Sequence, residues 1–419
     1  MIKKVLRKGK NFLRQVRNLL RRWFCFGYYF KERKIKRTKN TVVFICQYIP
    51  AWNKNEPIYN YLIKNKEIDV KLLCVPENVL NGELTDGNVN NSVYDYFVGK
   101  GYNNVINALI DKDKWFDLKS LNPSYVFYPR PYNHFMPTEY TSAAVSKYAK
   151  VCCVLYGMTF SKEDHNVVVN DDFFKNTYYY FAESKESANY VKKRYPLAHL
   201  FGLRKSLYLG YPALEQVIRS KDLTNNAWDF SQNDFRVMWT PRWTTDKSLG
   251  GSNFFTYKDF MLECAKKNQD IDFLYRPHPL MFDNFIKTGE MTKDEVKQYL
   301  KRCDELKNVS IDKEKEYAAT FWNSDLLITD ISGILPEYFV TGKPIIYCNT
   351  NMILTTHKYT NEIFKGCYIA TCKEDIEKYL SEIKKGNDYL KTKREQITKS
   401  LWGDKLYNCS EKISELITK

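Results

Sequence analysis

The sequence predicts an α/β protein of two doubly wound, Rossmann-like domains facing across a cleft, preceded by an amphipathic basic helix. Three observations predict it. Short apolar runs alternate with helical periodicities in two successive series. A polar stretch around residues 221–233 separates the series. Nearly all the net charge lies before residue 40.

The 419 residues are 44% hydrophobic and 16% aromatic, enough apolar material for two cores, so disorder is not expected. The formal charge of +16 suggests nucleic acid until it is located. Residues 1–39 hold fifteen Lys/Arg and one Glu, a net +14, which leaves only +2 for the rest. Eleven cysteines are scattered, with no Cys-x-x-Cys and no histidine at zinc spacing, which predicts reduced, buried thiols in a cytosolic compartment. No signal peptide or membrane span is expected, because the apolar positions of the N-terminus are interrupted every second or third residue.

Within residues 2–24, Ile2, Val5, Leu6, Phe12, Leu13, Val16, Leu19, Leu20, Trp23 and Phe24 recur at three- and four-residue spacing, with Lys/Arg on the other face. Phe26, Tyr28, Tyr29 and Phe30 follow, then the basic run to Lys39. The pattern fits a helix lying on an anionic bilayer better than a nucleic-acid arm, which usually lacks an apolar stripe. Residues 1–39 are therefore expected to hold the protein peripherally on the cytoplasmic face of a membrane, and no nucleic-acid partner is expected.

Residues 40–220 read as the first domain. Strands are expected at 41–47, 69–75, 124–128, 150–156, 178–182 and 206–209, and helical segments near 55–65, 91–110 and 138–147. The loops after the strands carry Pro129-Arg130-Pro131-Tyr132-Asn133-His134 and Tyr156-Gly157. Residues 234–385 read as the second domain and 386–419 as helices closing it. Phe235 to Trp239 opens the new series, followed by a loop containing Arg242, Lys247 and Gly250-Gly251. Ile271 to Tyr275 is a buried strand that stops at Arg276-Pro277-His278-Pro279, where two prolines stiffen the backbone around the imidazole. Residues 324–347 read strand, turn Thr329-Asp330-Ile331-Ser332-Gly333, helix, glycine stop, strand, which is a βαβ unit. Ligands of open α/β sheets sit outside the carboxyl ends of the strands, and this turn opens a helix whose free amides favour an anion. Ser332 also suits a plain helix cap, and His278 a surface histidine.

These elements resemble the CDP-glycerol glycerophosphotransferases, which build teichoic-acid-like polymers in bacteria. The family's Arg-x-His-Pro element is similar to Arg276 to Pro279, its Thr-Asp-x-Ser-Ser turn to Thr329 to Gly333, its acidic residue to Glu337 and its Lys-Pro-Ile strand to Lys343-Pro344-Ile345. Gly210-Tyr211-Pro212 and Trp239-Thr240-Pro241-Arg242-Trp243 are weaker echoes. Gly333 replaces the second serine, and Tyr156-Gly157 stands where the family has His-Gly.

The resemblance implies a GT-B fold and transfer of a polyol phosphate from a CDP-activated donor to a lipid-linked or growing glycan acceptor, with CMP leaving. Arg242, Arg276, Thr329, Asp330, Ser332, Gly333 and Glu337 would bind the donor, the last at its ribose, and His278 would stabilise the leaving phosphate. The resemblance carries no cofactor. A general base is sought among His165, Glu163, His134 and Tyr156, although a tyrosine with an ordinary pKa of about 10 is a poor base at neutral pH. Asp111-Lys112-Asp113 and Asp270-Ile271-Asp272 fall at element ends away from the expected cleft, so no obligatory metal is predicted. Two other readings are a GT-B glycosyltransferase using a nucleotide sugar for capsule or cell-wall polysaccharide, and a binding module whose basic arm grips RNA.

Overall fold

The structure is a computed structural model that describes residues 40–85, 87–111, 114–224 and 226–418, together with Leu13 and Val16. Apart from those two residues, the expected basic helix and the cluster ending at Lys39 lie outside the described residues, as do Lys112 and Asp113. The chain divides into two compact units. The first comprises Met1–Thr159, Asp164–Pro212 and Asn408–Lys419, and the second Phe160–Glu163 and Ala213–Tyr407.

Unit 1 is built on strands β1 (Asn40–Cys46), β2 (Ile68–Cys74), β3 (Val105–Asn107), β4 (Tyr125–Tyr128), β5 (Lys150–Val154), β6 (Thr177–Phe181) and β7 (Lys205–Leu207). They form one parallel sheet in the order β7-β6-β5-β4-β1-β2-β3. Val42 to Cys46 have no exposed surface, as expected of a strand covered on both faces. Phe44 stacks on its register partner Phe127 with ring centroids 4.7 Å apart, and Phe127 on Phe181 at 6.0 Å, so aromatic rings tie β1, β4 and β6 across one face. The C-terminal helix Cys409–Thr418 returns to this unit, where Glu411 accepts a hydrogen bond from Tyr61 at 3.0 Å.

Unit 2 repeats the plan with β8 (Phe235–Thr240), β9 (Ile271–Tyr275), β10 (Val309–Ile311), β11 (Leu326–Thr329), β12 (Ile345–Cys348) and β13 (Tyr368–Ala370). The order is β10-β9-β8-β11-β12-β13, again wholly parallel. In each sheet the strand order reverses once: between β1 and β4 in unit 1, and between β8 and β11 in unit 2. Connections leave in opposite directions at that point and open a crevice at the strand ends, where nucleotides bind in this topology. The expected βαβ unit is present as β11, the helix Ile334–Phe339, Gly342 at φ +75° and β12. Pro336 is tolerated in the first helical turn, where its missing N–H would have had no partner.

Three features depart from expectation. The helix read over 91–110 stops at Gly99, and Val105–Asn107 forms the sheet edge β3. The opposite unit's edge strand, β13, carried no sequence reading at all. The polar stretch 221–233 is not a free tether: Trp228 is buried and donates its indole N–H to the Thr320 carbonyl at 3.2 Å, and the unit boundary falls earlier, after Pro212.

Asp272, at the start of β9, anchors that stretch. Its wholly buried carboxylate accepts from Ser231 Oγ (2.8 Å), the amides of Gln232 (2.8 Å) and Asn233 (2.7 Å), and Asn233 Nδ2 (2.9 Å). Replacing Asp272 by Ala is expected to destabilise unit 2 by about 2–4 kcal/mol, because four donors lose their acceptor at once. A urea midpoint unchanged from wild type would show that these bonds contribute nothing net.

Candidate active site

The crevice of unit 2 is set by a threonine pair. Thr240 and Thr329, the last residues of β8 and β11, are register partners, and the Thr240 hydroxyl donates to Thr329 Oγ1 at 2.8 Å. The Thr329 hydroxyl in turn lies within bonding distance of the Thr240 carbonyl at 3.0 Å and its neighbour's carbonyl at 2.9 Å. It is wholly buried. Thr329 therefore sits behind the crevice and joins its two walls, instead of lending its hydroxyl to a ligand as the sequence suggested.

Asp330 has the same kind of role. Its carboxylate accepts from the Arg242 amide (3.0 Å), Ser252 Oγ (3.1 Å) and the Asn253 amide (3.1 Å), buckling the 242–253 loop onto the end of β11. Burial raises its pKa to about 6, against the pull of those donors. The loop closes tightly at Gly250, whose φ is +104° and whose missing Cβ would lie 2.8 Å from Ile331 Cγ2 and 2.9 Å from Arg242 Nε. Only glycine fits that backbone and that gap. The buckle sends the Arg242 side chain along the turn, where Nη1 donates to the Ile331 carbonyl at 2.6 Å.

His278 stands in the loop after β9, beside both arginines. Its Nδ1 accepts from the Leu280 amide at 3.2 Å, so the neutral ring carries its proton on Nε2. Burial, then Arg242, then Arg276 hold its pKa down at about 4. The ring packs 6.3 Å from that of Trp243, whose carbonyl is fixed by Asn284 Nδ2 at 3.1 Å. At neutral pH this is an uncharged imidazole with its proton on Nε2 and two guanidinium groups nearby.

Arg276 is anchored by the buried carboxylate of Asp312 and by the Glu314 carbonyl at 3.0 Å, with its guanidinium 4.8 Å from the centre of the Tyr317 ring. Tyr317 donates to Glu337 at 2.7 Å. Glu337 is 1% exposed, so it neither reaches toward a ribose nor lies on a solvated face; it orients Arg276 through Tyr317. Ser332 is also covered, its Oγ 3.5 Å from Thr329 Oγ1, while the residues Gly333 and Ile334 are partly exposed. A Cβ at Gly333 would meet nothing within 4 Å, so the family's second serine would fit there.

The residues read as bases separate. Tyr156, after β5, is 37% exposed and shares a hydrogen bond with Tyr132 at 3.1 Å. His134 is exposed overall, its ring 4.1 Å from Phe135, and partial desolvation, then Arg130, lower its pKa. His165 is 2% exposed and stacked on Tyr190 at 4.8 Å, which covers its ring from solvent. Glu163 belongs to unit 2, where it accepts the Thr355 amide at 2.9 Å beside the Ser161–Thr356 bridge; backbone donors hold its pKa low, making it a weak base. Among the described residues no group of three His, Cys, Asp or Glu is placed to hold a metal, and no helix is long and apolar enough to cross a membrane.

Residues 156–419 match the family described as CDP-Glycerol:Poly(glycerophosphate) glycerophosphotransferase. Among solved structures, the wall teichoic acid polymerase TagF, in a histidine-substituted form soaked with CDPG for 30 minutes, matches with a TM-score of 0.60 at 14% identity, over 100% of this chain and 96% of that one. UDP-GlcNAc 2-epimerase from Neisseria meningitidis bound to UDP-GlcNAc matches at 0.58 and 15% identity, over 90% of this chain and 100% of that one. S. aureus MnaA with UDP matches at 0.57 and 12% identity, over 90% and 96%. At such identities the likeness is one of fold, GT-B-like with two parallel α/β sheets. No curated protein matches by sequence.

In the free protein the His278 imidazole is expected to titrate near 4 and to move upward when inorganic pyrophosphate is added. The folded value lies below the unfolded one of about 6.5. The contribution to stability is therefore complete above 6.5 and is lost as pH falls toward 4. Two-dimensional imidazole NMR on a chain with five histidines reads this directly; a free-protein titration at 6.5 or higher contradicts the assignment.

Proposed function

We propose that this chain, which belongs to the CDP-Glycerol:Poly(glycerophosphate) glycerophosphotransferase family, moves glycerol phosphate or a related polyol phosphate from a CDP-activated donor to a hydroxyl of a lipid-linked or growing cell-surface glycan. The observation that carries this reading is the grouping of Arg242, Arg276 and the Nε2–H of His278 at the strand-order reversal of unit 2. Two guanidinium groups match the oxygens of a diphosphate, and the imidazole N–H suits the bridging oxygen that becomes part of CMP.

An acceptor oxygen attacks the phosphorus that bears the polyol. The new P–O bond forms as the bond to CMP breaks, CMP leaves with the electron pair, and the acceptor proton passes to a base. Of the two unit 1 histidines read as bases, His134 is exposed and His165 is covered. Unit 2 supplies position and charge. A single preorganised donor of this kind is worth about 10²–10³ in turnover.

Residues 1–39, with their net +14, support docking on the anionic cytoplasmic face of a membrane, where a lipid-linked acceptor would be met.

Incubation with CDP-glycerol, CDP-ribitol and a panel of nucleotide sugars should release CMP from a CDP-polyol and add one polyol phosphate to the acceptor mass. Release of a sugar nucleotide's UDP or GDP instead would replace this reading with a glycosyltransferase. His278→Ala should lower turnover at least about 100-fold with an unchanged melting profile, and near-wild-type turnover would remove the imidazole from the reaction. Deleting residues 1–30 should abolish sedimentation with anionic vesicles while preserving transfer to a water-soluble acceptor; undiminished sedimentation would end the membrane assignment.

A further inference from the structure

The strand-order reversal of unit 1, between β1 and β4, holds a cation that no carboxylate of the described residues contacts, although the charge of Glu77 acts on it from farther off. Arg130 lies between Pro129 and Pro131 immediately after β4. Its guanidinium is half-buried, 4.3 Å from the centre of the Phe135 ring, 5.1 Å from Tyr48 and 5.9 Å from Tyr132. Its hydrogen bond is a long 3.5 Å contact from Nη1 to Gln47 Oε1. Among the described residues no carboxylate forms an ion pair with it.

Two arginines elsewhere have carboxylate partners: Arg394 reaches Asp388, and Arg276 reaches Asp312. The buried Arg204 instead donates to the Phe174 carbonyl and lies 4.2 Å from the centre of the Tyr195 ring, so aromatic cover without an ion pair among the described residues is not peculiar to Arg130. Desolvation lowers the Arg130 pKa from its ordinary value, against the opposing pull of Tyr156, Tyr132, Tyr48 and Glu77. Three aromatic faces offset part of the desolvation cost and fix the fork, leaving its hydrogen-bonding edges largely unused. The neighbouring Tyr132 and Tyr156 hydroxyls share one hydrogen bond, so one proton of the pair stays available to an acceptor.

We propose that Arg130, with the Tyr132–Tyr156 hydroxyl pair beside it, is an oxyanion site that recognises a phosphate of the acceptor. The assignment to the acceptor rests on the transfer proposed above; the anion chemistry rests on unit 1 alone. An acceptor carrying glycerol phosphate would be selected over a neutral glycan by this contact.

The test measures KM for two acceptors of equal length, one ending in glycerol phosphate and one neutral, and for CDP-glycerol. In Arg130→Gln the KM of the phosphate-bearing acceptor should rise about tenfold or more, while the other two constants move less than twofold. Arg130→Lys should fall between, since it keeps the charge and loses the fork. An equal rise for the neutral acceptor, or a rise confined to CDP-glycerol, overturns the proposal. A second arm compares thermal shifts by glycerol 3-phosphate and by glycerol in His278→Ala, with and without Arg130→Gln. A phosphate-dependent shift abolished by Arg130→Gln supports the site even if no CDP-polyol yields CMP, in which case the transfer reading alone fails. CMP release with an unchanged acceptor KM and no such shift refutes the site and leaves the transfer reading intact.

Discussion

The carboxylate of Asp330 is the constraint on which the unit 2 site depends. It is withdrawn from water and surrounded by two amides and a hydroxyl of the 242–253 loop. Each such bond to a buried charge contributes about 1.5–3 kcal/mol, and together they offset the desolvation that raises its pKa. The consequence is geometric. With the loop buckled to the end of β11, Arg242 must run along the turn, and Gly250 must pass where no Cβ fits. A ligand then meets a loop whose ordering cost was met during folding.

Around that frame the positive groups are kept close without mutual ruin because one of them is neutral. Burial first, then Arg242 and Arg276, depress the pKa of His278, and the Leu280 amide fixes its tautomer. An arriving dianion would reverse the local sign and favour the imidazolium, so the ring's charge is coupled to occupancy. The Arg276–Tyr317–Glu337 relay and the Asp312 pair hold the second guanidinium still. The acidic residues of this region act on the arginines and the loop, which leaves the arginines as the proposed ligand contacts.

What the sequence disclosed follows from which forces are local. Apolar runs covered on both faces, such as Val42 to Cys46 or Leu326 to Ile328, betray themselves, and so does a strand stopped by Arg276-Pro277. Edge strands of three residues do not, because Val105–Asn107 and Tyr368–Ala370 are held by partners distant in the chain. The site was legible as a set of positions but not as directions. Thr329 ends a strand, so its side chain was committed by the pleat to face Thr240, a signal of period two that the turn motif overshadowed. Glu337 was buried by Tyr317 and His165 by Tyr190, contacts that no local pattern announces. Trp228 similarly turned an apparent linker into part of a core; a lone tryptophan in a polar stretch was the available sign.

The two departures from the family pattern now have different physical meanings. Gly333 is helical, with φ −57°, and has open space where a side chain would project, so neither backbone nor packing demands glycine. Its effect is to remove a hydroxyl from the turn, next to a Ser332 that is itself covered. Tyr156 is the opposite case. Its hydroxyl is engaged by Tyr132, whose ring stands over Arg130 and whose pKa is raised by burial and by Tyr156 itself. A phenol in that company is a proton donor beside a cation. In the proposed acceptor site, the position where the family pattern has histidine would hold an anion instead of accepting a proton.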